Sequence, residues 1–285
     1  MENYINIPEN LRVWKKEPLP TNLLNINKSQ YVKLSDIEYL LEKKCMKRKR
    51  HAKYPLYILT YNKHLKHSKW ASFPSLLREA SGLVVNECGQ IITRPMVKFF
   101  NYDQTEKIPS GKGIVMEKMD GSIINLGFWD GKMVISSKGA FDSNQAIKAN
   151  QIIQEKYQYF PFNQDYTYCF EIIYPQNKIV VDYGEITDLY LLAKINTQTG
   201  EETRDIEEGL KQPIVQYEFD HLSSLEHLLY IFHSFTNKHY TDNAEVKEGS
   251  VILFNENYIR VKMKHSEWYR LSKSKSHIKS TSYIK

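Results

Sequence analysis

Through its middle this chain is written as short strand-like apolar runs cut by turns, and that texture sets the class of fold open to it. Ile114-Val115-Met116 is followed by Ile123-Ile124, Leu126-Gly127-Phe128 and Met133-Val134-Ile135, with Asp120-Gly121 and Trp129-Asp130-Gly131-Lys132 in the breaks. Asp-Gly between two such runs favours a two-residue hairpin turn. Upstream, Leu83-Val84-Val85 and Ile91-Ile92-Thr93-Arg94 predict a hairpin about Glu87-Cys88-Gly89-Gln90. Downstream, residues 166–174, 179–181, 189–193, 246–254 and 258–263 read as strands. Helices are fewer. Residues 34–41 have helical spacing, and Asp142 or Ser143 can cap a helix carrying Ala146, Ile147, Ile152 and Ile153. Ser223-Ser224-Leu225-Glu226 is a capping box for a helix with Leu225, Leu228, Leu229 and Phe232 on its apolar face. Without the regular β-α alternation of a doubly wound sheet, the expected class is α+β.

The chain has 285 residues, enough for one large or two modest domains. A formal net charge of +6 gives a modest bias towards polyanions. Cys45, Cys88 and Cys169 are odd in number and lack Cys-x-x-Cys spacing, as expected of reduced thiols. No apolar stretch approaches membrane-spanning length and Met1-Glu2-Asn3-Tyr4 is not a signal peptide, so a soluble cytoplasmic protein is expected. The basic run Lys43-Lys44-Cys45-Met46-Lys47-Arg48-Lys49-Arg50-His51 reads either as a solvated helix end or as a phosphate-contacting patch. His64 and His67 read as exposed side chains rather than ligands, and Gly111-Lys112-Gly113 as a lead-in to a strand rather than a phosphate-cradling loop. The Ser/Lys-rich residues 272–285 are expected to be flexible.

Chemistry enters at Lys118, two residues ahead of Asp120-Gly121. Beside an ordinary turn it is a surface charge; fixed inside a scaffold it is a nucleophile. Glu171 interrupts the apolar and aromatic run Tyr168-Cys169-Phe170-Glu171-Ile172-Ile173-Tyr174, and Glu248 precedes Gly249-Ser250. In Tyr258-Ile259-Arg260-Val261-Lys262-Met263-Lys264, strand alternation puts Arg260, Lys262 and Lys264 on one face. Each has a plain structural reading: an edge-strand carboxylate, a turn acid, a solvated face. Together, a nucleophile, two acids and a cationic stripe are what phosphoryl chemistry requires, with nearby positive charge lowering the nucleophile's pKa.

In this order the motifs resemble those of the phage-type RNA ligase 1 group of ATP-dependent RNA ligases, within the covalent nucleotidyltransferases. The similarity runs from about Arg78 to Tyr269. Arg78-Glu79-Ala80-Ser81-Gly82 and Arg94-Pro95-Met96-Val97-Lys98-Phe99-Phe100-Asn101 resemble the upstream segment, which assigns Lys98 to catalysis and Phe100 to adenine binding. Lys118-Met119-Asp120-Gly121-Ser122 resembles the nucleophile motif and Ser137-Lys138-Gly139 the next, whose lysine is functional. Phe170-Glu171 falls where a ribose- or metal-linked glutamate belongs. Glu248-Gly249-Ser250-Val251 is similar to the fourth motif and Val261-Lys262-Met263-Lys264 to the last, whose lysines contact phosphates.

The resemblance implies a ligase adenylation domain of antiparallel sheets flanked by helices. Residues 1–77 would be its N-terminal portion, 78–270 its core and 271–285 a basic tail. It implies a catalytic set of Lys118, Lys98, Lys138, Lys262 and Lys264. ATP would be held by Lys118, Lys98, Lys262 and Lys264 with Phe100, Gly121, Glu171, Glu248 and Gly249; Mg²⁺ (or Mn²⁺) would be held by Glu171 and Glu248. The implied partner is RNA with 5′-phosphate and 3′-hydroxyl ends, single-stranded or a broken tRNA, sealed in RNA repair. A monomer in the cytoplasm, or the host cytoplasm for a viral chain, is expected. The chain departs from many relatives in having Ser81-Gly82 in place of Arg-Gly, so a guanidinium contact is missing or comes from Arg78 or Arg94, with Arg260 a further phosphate or RNA contact. That departure keeps a weakened RNA-end-binding protein as an alternative. A capping-type guanylyltransferase is the other, although only about twenty residues follow Lys264 and no room is expected for the barrel such enzymes add.

Overall fold

The computed structural model of the protein describes residues 4–6, 8, 29–62, 65, 74–104, 107–203, 207–237, 246–254, 258–266 and 270. His64, His67 and the 272–285 tail lie outside the described residues. Strand β1 (Tyr4–Asn6) precedes helix α1 (Leu34–Glu42), which buries Ile37 and Leu40. Of the basic run, Lys43 caps the end of α1, and residues 46–50 form a strand, β2 (Met46–Arg50), antiparallel to β3 (Leu56–Tyr61). After the short helix α2 (Leu76–Glu79) come β4 (Ser81–Asn86) and β5 (Ile91–Thr93), giving a four-stranded sheet ordered β2-β3-β4-β5. The 87–90 turn forms as expected, with Asn86 Oδ1 accepting from the N–H groups of Cys88 and Gln90.

Two five-stranded sheets follow. Strands β6 (Phe100–Asn101), β7 (Lys107–Pro109) and β8 (Gly111–Glu117) lead into β9 (Ser122–Trp129) and β10 (Lys132–Ser137). β9 and β10 form the expected hairpin: Trp129 pairs with Lys132, and Asp130 and Gly131 take φ of 50° and 70°, the left-handed pair of a type I′ turn. Helix α3 (Asn144–Lys156) is capped by Ser143, whose Oγ accepts from Ala146 N–H at 3.2 Å. It buries Ala146, Ala149, Ile152 and Ile153 and turns Ile147 to solvent. Then come β11 (Tyr166–Ile173), β12 (Asp188–Asn196), β13 (Glu202–Thr203) and β14 (Val215–Leu222). Residues 179–181, expected as a strand, form a bend. Helix α4 (Leu225–Asn237) is capped one residue later than the capping box implied, by Ser224 Oγ accepting from His227 N–H. β15 (Gly249–Phe254) and β16 (Ile259–Lys264) close the set.

One sheet is ordered β10-β9-β11-β12-β13 and the other β14-β8-β15-β16-β6, and among the described strands only β16 and β6 pair parallel. The mainly antiparallel architecture agrees with the α+β expectation, but helices flank the sheets sparsely: three of nine residues or more among those described. Separate cores form under α3, under α4 and beneath α1. No described helix is long and apolar enough to cross a membrane.

The two large sheets share one short crossing. β8 pairs with β14 and β15, whereas β9 pairs with β10 and β11, so residues 118–121 carry the chain from one sheet to the other. Asp120-Gly121 is therefore not the hairpin turn its sequence suggested. Gly121 is needed for close approach: a Cβ there would lie 2.3 Å from the Ile172 carbonyl oxygen and 2.7 Å from Ile173 Cδ1. Gly121→Ala is expected to destabilise the fold by about 3 kcal/mol, because backbone must move to admit one methyl. A urea titration checks this; an unchanged midpoint would mean that the crossing yields without strain.

Candidate active site

The crossing segment is held from both ends. Lys118 N–H donates to the Gly249 carbonyl at 2.9 Å. Asp120, 3% exposed, accepts from the N–H groups of Val180 and Val181, each at 2.8 Å, and its own N–H donates to Tyr183 Oη. The 179–181 segment is thus a bend because its amides serve Asp120 rather than a neighbouring strand. Gly249 has a steric task beside the ligand role implied for it: at φ 149°, a Cβ would meet the Met263 carbonyl oxygen at 2.0 Å. These constraints fix the Lys118 backbone at the edge of a cavity of about 230 Å³ between the sheets.

Its walls come from three regions. Met116, Glu117, Lys118, Val251, Arg260 and Lys262 belong to the β8 sheet or its end; Ile123, Glu171 and Leu192 belong to the β9 sheet. Tyr61, Ser81, residues 95–99 and Lys138 line it too, with Met119 and Pro213. Lys118 Nζ lies 2.7 Å from Glu248 Oε2, and Lys264 Nζ lies 2.6 Å from Glu248 Oε1. One buried carboxylate thus bridges two lysines. Glu171 Oε1 accepts from Gly121 N–H at 3.1 Å. Alternation on β16 does put Arg260 and Lys262 towards one cavity.

Electrostatics correct one expectation. Burial alone would push the Lys118 pKa down, but Glu248, Glu171 and Asp120 overrule it and hold the group in its ammonium form, with its pKa raised. The lowered pKa belongs to its neighbour. Lys262 is pushed down to about 7 by burial and by the charges of Lys118, Lys98 and Lys264. Burial likewise lifts Glu171 to about 7, with Glu248 adding to the rise and Lys118 opposing it.

Several expected contacts are placed differently. Arg94, 2% exposed, is not presented to a phosphate: Nη1 lies 2.6 Å from Glu79, Nε donates to the Thr197 carbonyl and Nη2 to the Ser29 carbonyl. Arg260 borders the cavity, but its guanidinium is paired with both carboxylate oxygens of Glu202 and donates to the Leu192 carbonyl. Arg78 does not line the cavity, and burial lowers its pKa. Phe100 is buried, with Lys98 Nζ 5.2 Å from its ring centre; the phenylalanine ring in the wall is that of Phe99, over which Lys262 lies at 5.4 Å. Among the described residues no group of three or more His, Cys, Asp or Glu is arranged to hold a metal.

Tyr61 was missed. Its hydroxyl accepts from Lys98 Nζ at 3.2 Å and Lys138 Nζ at 2.5 Å, and both ammonium groups lie over its ring, at 4.6 and 3.9 Å. It ends β3, and no local signal marks it. Strand pairing brings it beside Ser81 and into the wall.

A family model described as RNA ligase matches residues 79–277. A protein of Thermovibrio ammonificans named "Putative RNA ligase" is 26% identical over 155 residues, covering 48% of this chain and 40% of that protein. Among solved structures, an archaeal ATP-dependent RNA ligase superposes with a TM-score of 0.54 at 13% identity, over 84% of this chain and 63% of its own. A "Putative ATP-dependent DNA ligase" of Aquifex aeolicus gives 0.51 at 18% identity, over 81% and 62%. The chain therefore spans less than two thirds of each of these relatives. At such identities the superpositions establish a shared ligase fold.

Proposed function

We propose, from the premise that this chain belongs to the RNA ligase family, that it is an ATP-dependent RNA ligase working through a covalent lysyl–AMP. The observation that carries this reading is Lys118 itself. It is fixed at the crossing between two sheets, bound to a buried carboxylate and bordered by Lys98, Lys138 and Lys262 around one cavity. The α-phosphate of ATP would be attacked by Lys118 Nζ, forming the N–P bond as the bond to pyrophosphate breaks. A 5′-phosphate oxygen on RNA then takes the adenylate, freeing Lys118, and a 3′-hydroxyl finally displaces AMP to give a phosphodiester. That final sealing is the chemistry of RNA repair. Alignment and charge neutralisation carry most of this catalysis.

The attacking amine must first lose a proton, and Glu248 Oε2 at 2.7 Å is the acceptor in reach. Lys98, Lys138, Lys262 and Lys264 would balance phosphate charge, Tyr61 would orient the first two, and Phe99 offers the adenine an aromatic wall. The donor set suits Mg²⁺: two carboxylates, Glu171 and Glu248, suffice for an ion that keeps waters and phosphate oxygens as its other ligands. When bound, it would supply further neutralisation of phosphate charge. Residues 78–270 would form the adenylyl-transfer core, with the strands before residue 78 completing the same domain.

The test is purified protein with Mg²⁺ and ATP labelled at the α-phosphate, followed by 5′-phosphorylated single-stranded RNA, with nicked duplex and cleaved tRNA beside it. A labelled protein adduct and then circularised RNA are expected. A GTP adduct in place of the ATP one would indicate a capping-type enzyme; RNA binding without any adduct would indicate an end-binding protein.

Nucleotide binding should also move protons. At pH 8, Lys262 with its pKa about 7 is mainly neutral in the nucleotide-free protein, and the phosphates of ATP favour its charged form. Proton uptake by Lys262 is therefore expected at pH 8 and should fade towards pH 6, where Lys262 already carries its proton. Calorimetry with an α,β-methylene ATP analogue, in buffers of different ionisation enthalpy, reads it. Heats independent of buffer at pH 8 would contradict the titration behaviour given to Lys262.

A further inference from the structure

The basic run of β2 is not used by the adenylyl-transfer chemistry, yet the fold gives it a definite place. β2 is the edge strand of its sheet, and Lys47, Arg48, Lys49 and Arg50 are all exposed. Strand alternation divides them. Arg48 lies 2.6 Å from Glu38 of α1 and over the Tyr57 ring, and Arg50 lies 3.7 Å from Glu87. Lys47 and Lys49 belong to the opposite face. On that face Lys47 pairs with Thr60, and the Gly139 Cα abuts Thr60: a Cβ built on it would lie 3.7 Å from Thr60 Cγ2. Lys49 reaches Asp142 at 2.5 Å, and Phe141 packs edge-on against His51. The 138–142 segment therefore runs beside the Lys47/Lys49 face, from Lys138 in the cavity wall to the far end of the strand.

We propose that Lys47 and Lys49 form a track for the RNA backbone adjoining the end to be joined, leading from the cavity at Lys138 and Tyr61 along the edge of β2. This rests on the ligase reading above. Lys47 has no acidic partner among the described residues. The Lys49–Asp142 pair is half-exposed on one side and more exposed on the other, so it is worth little and can give way to a phosphate. Same-face residues recur about every 6.6 Å along a strand, a step suited to successive phosphates of an extended chain. Lys47 and Lys49 are one such step apart, about 6.6 Å, so the pair meets about two successive phosphates. An edge lined with lysines also resists pairing with another strand.

The experiment compares wild type with Lys47→Ser/Lys49→Ser and with the opposite-face control Arg48→Ser/Arg50→Ser. Lysyl–AMP formation from ATP alone is expected to be unchanged in both. In the Lys47/Lys49 variant the KM for 5′-phosphorylated RNA should rise about tenfold at low salt. The slope of log affinity against log salt should flatten by about 1.4, or about 0.7 per lost phosphate contact. The control should retain close to the wild-type slope. A Lys47/Lys49 variant with wild-type affinity and slope would overturn the track, as would a control that changes as much as the variant. Failure of the wild type to form any adenylate would count against the ligase reading instead, so the two ideas fail separately.

Discussion

Lys118→Ala should leave no covalent adenylate on the protein and lower RNA sealing by more than about 10⁴-fold, since the nucleophile has no substitute. The other lysines at the cavity are poorly placed to replace it. Lys262 lies over Phe99, Lys264 is bound to Glu248, and Lys98 and Lys138 are drawn to the Tyr61 hydroxyl. The fold should survive, because Glu248 keeps Lys264 as a counter-charge and the backbone contact of residue 118 to Gly249 does not involve the side chain. Mass spectrometry of intact protein after incubation with ATP and Mg²⁺ reads the adduct, and circular dichroism checks folding. An adduct of wild-type yield on Lys118→Ala would place the nucleophile elsewhere and remove the proposed mechanism. Pre-adenylated RNA gives a second reading. Its sealing does not pass through the lysyl–AMP, so this last step should be much less affected than the complete reaction.

Glu248→Gln should be nearly as damaging by another route. Glu248 is 4% exposed and holds Lys118 and Lys264 with its two oxygens, so its removal leaves two inward ammonium groups without their shared counter-charge. A stability loss of about 2–4 kcal/mol is expected. Adenylate formation should fall about 10²-fold or more, because the proton acceptor is lost. The sign of the pH effect separates this role from a purely structural one. Burial pushes the Lys118 pKa down, and Glu248 is the foremost of the carboxylates that raise it. Without Glu248 the lysine should deprotonate at lower pH, and the residual rate should approach its plateau at lower pH than in the wild type. A pH–rate profile of single-turnover adduct formation reads this. A slow variant with an unmoved profile would mean that Glu248 shapes the pocket without setting the protonation of Lys118.

Much of this was legible locally. Asp130-Gly131 makes its hairpin because both residues tolerate left-handed φ, and Ser143 caps its helix because a short hydroxyl can reach the amide three residues on. Asp120-Gly121 carries the same dipeptide and forms no hairpin. The strand after it finds partners in β10 and β11, while the strand before it pairs with β14 and β15. The basic run misled in part: Lys43 does cap a helix, yet Met46 anchors residues 46–50 into the core beneath α1 as an edge strand. Arg94 and Arg260 looked available for phosphate because their acids, Glu79 and Glu202, stand 15 and 58 positions away.

The sequence alone determined the short strands, the turns, the helix caps and the ordered motifs that carry the family resemblance, since these depend on residues within a few positions of one another. Tertiary structure decided which sheet each strand joins and which charges are already paired. It also decided that Lys118 is held protonated while Lys262 is pushed towards neutrality. The reason is range: Lys118 and Glu248 are 130 positions apart in the chain and 2.7 Å apart in the fold. A pKa is set by the groups that burial brings within a few ångströms, wherever they stand in the sequence.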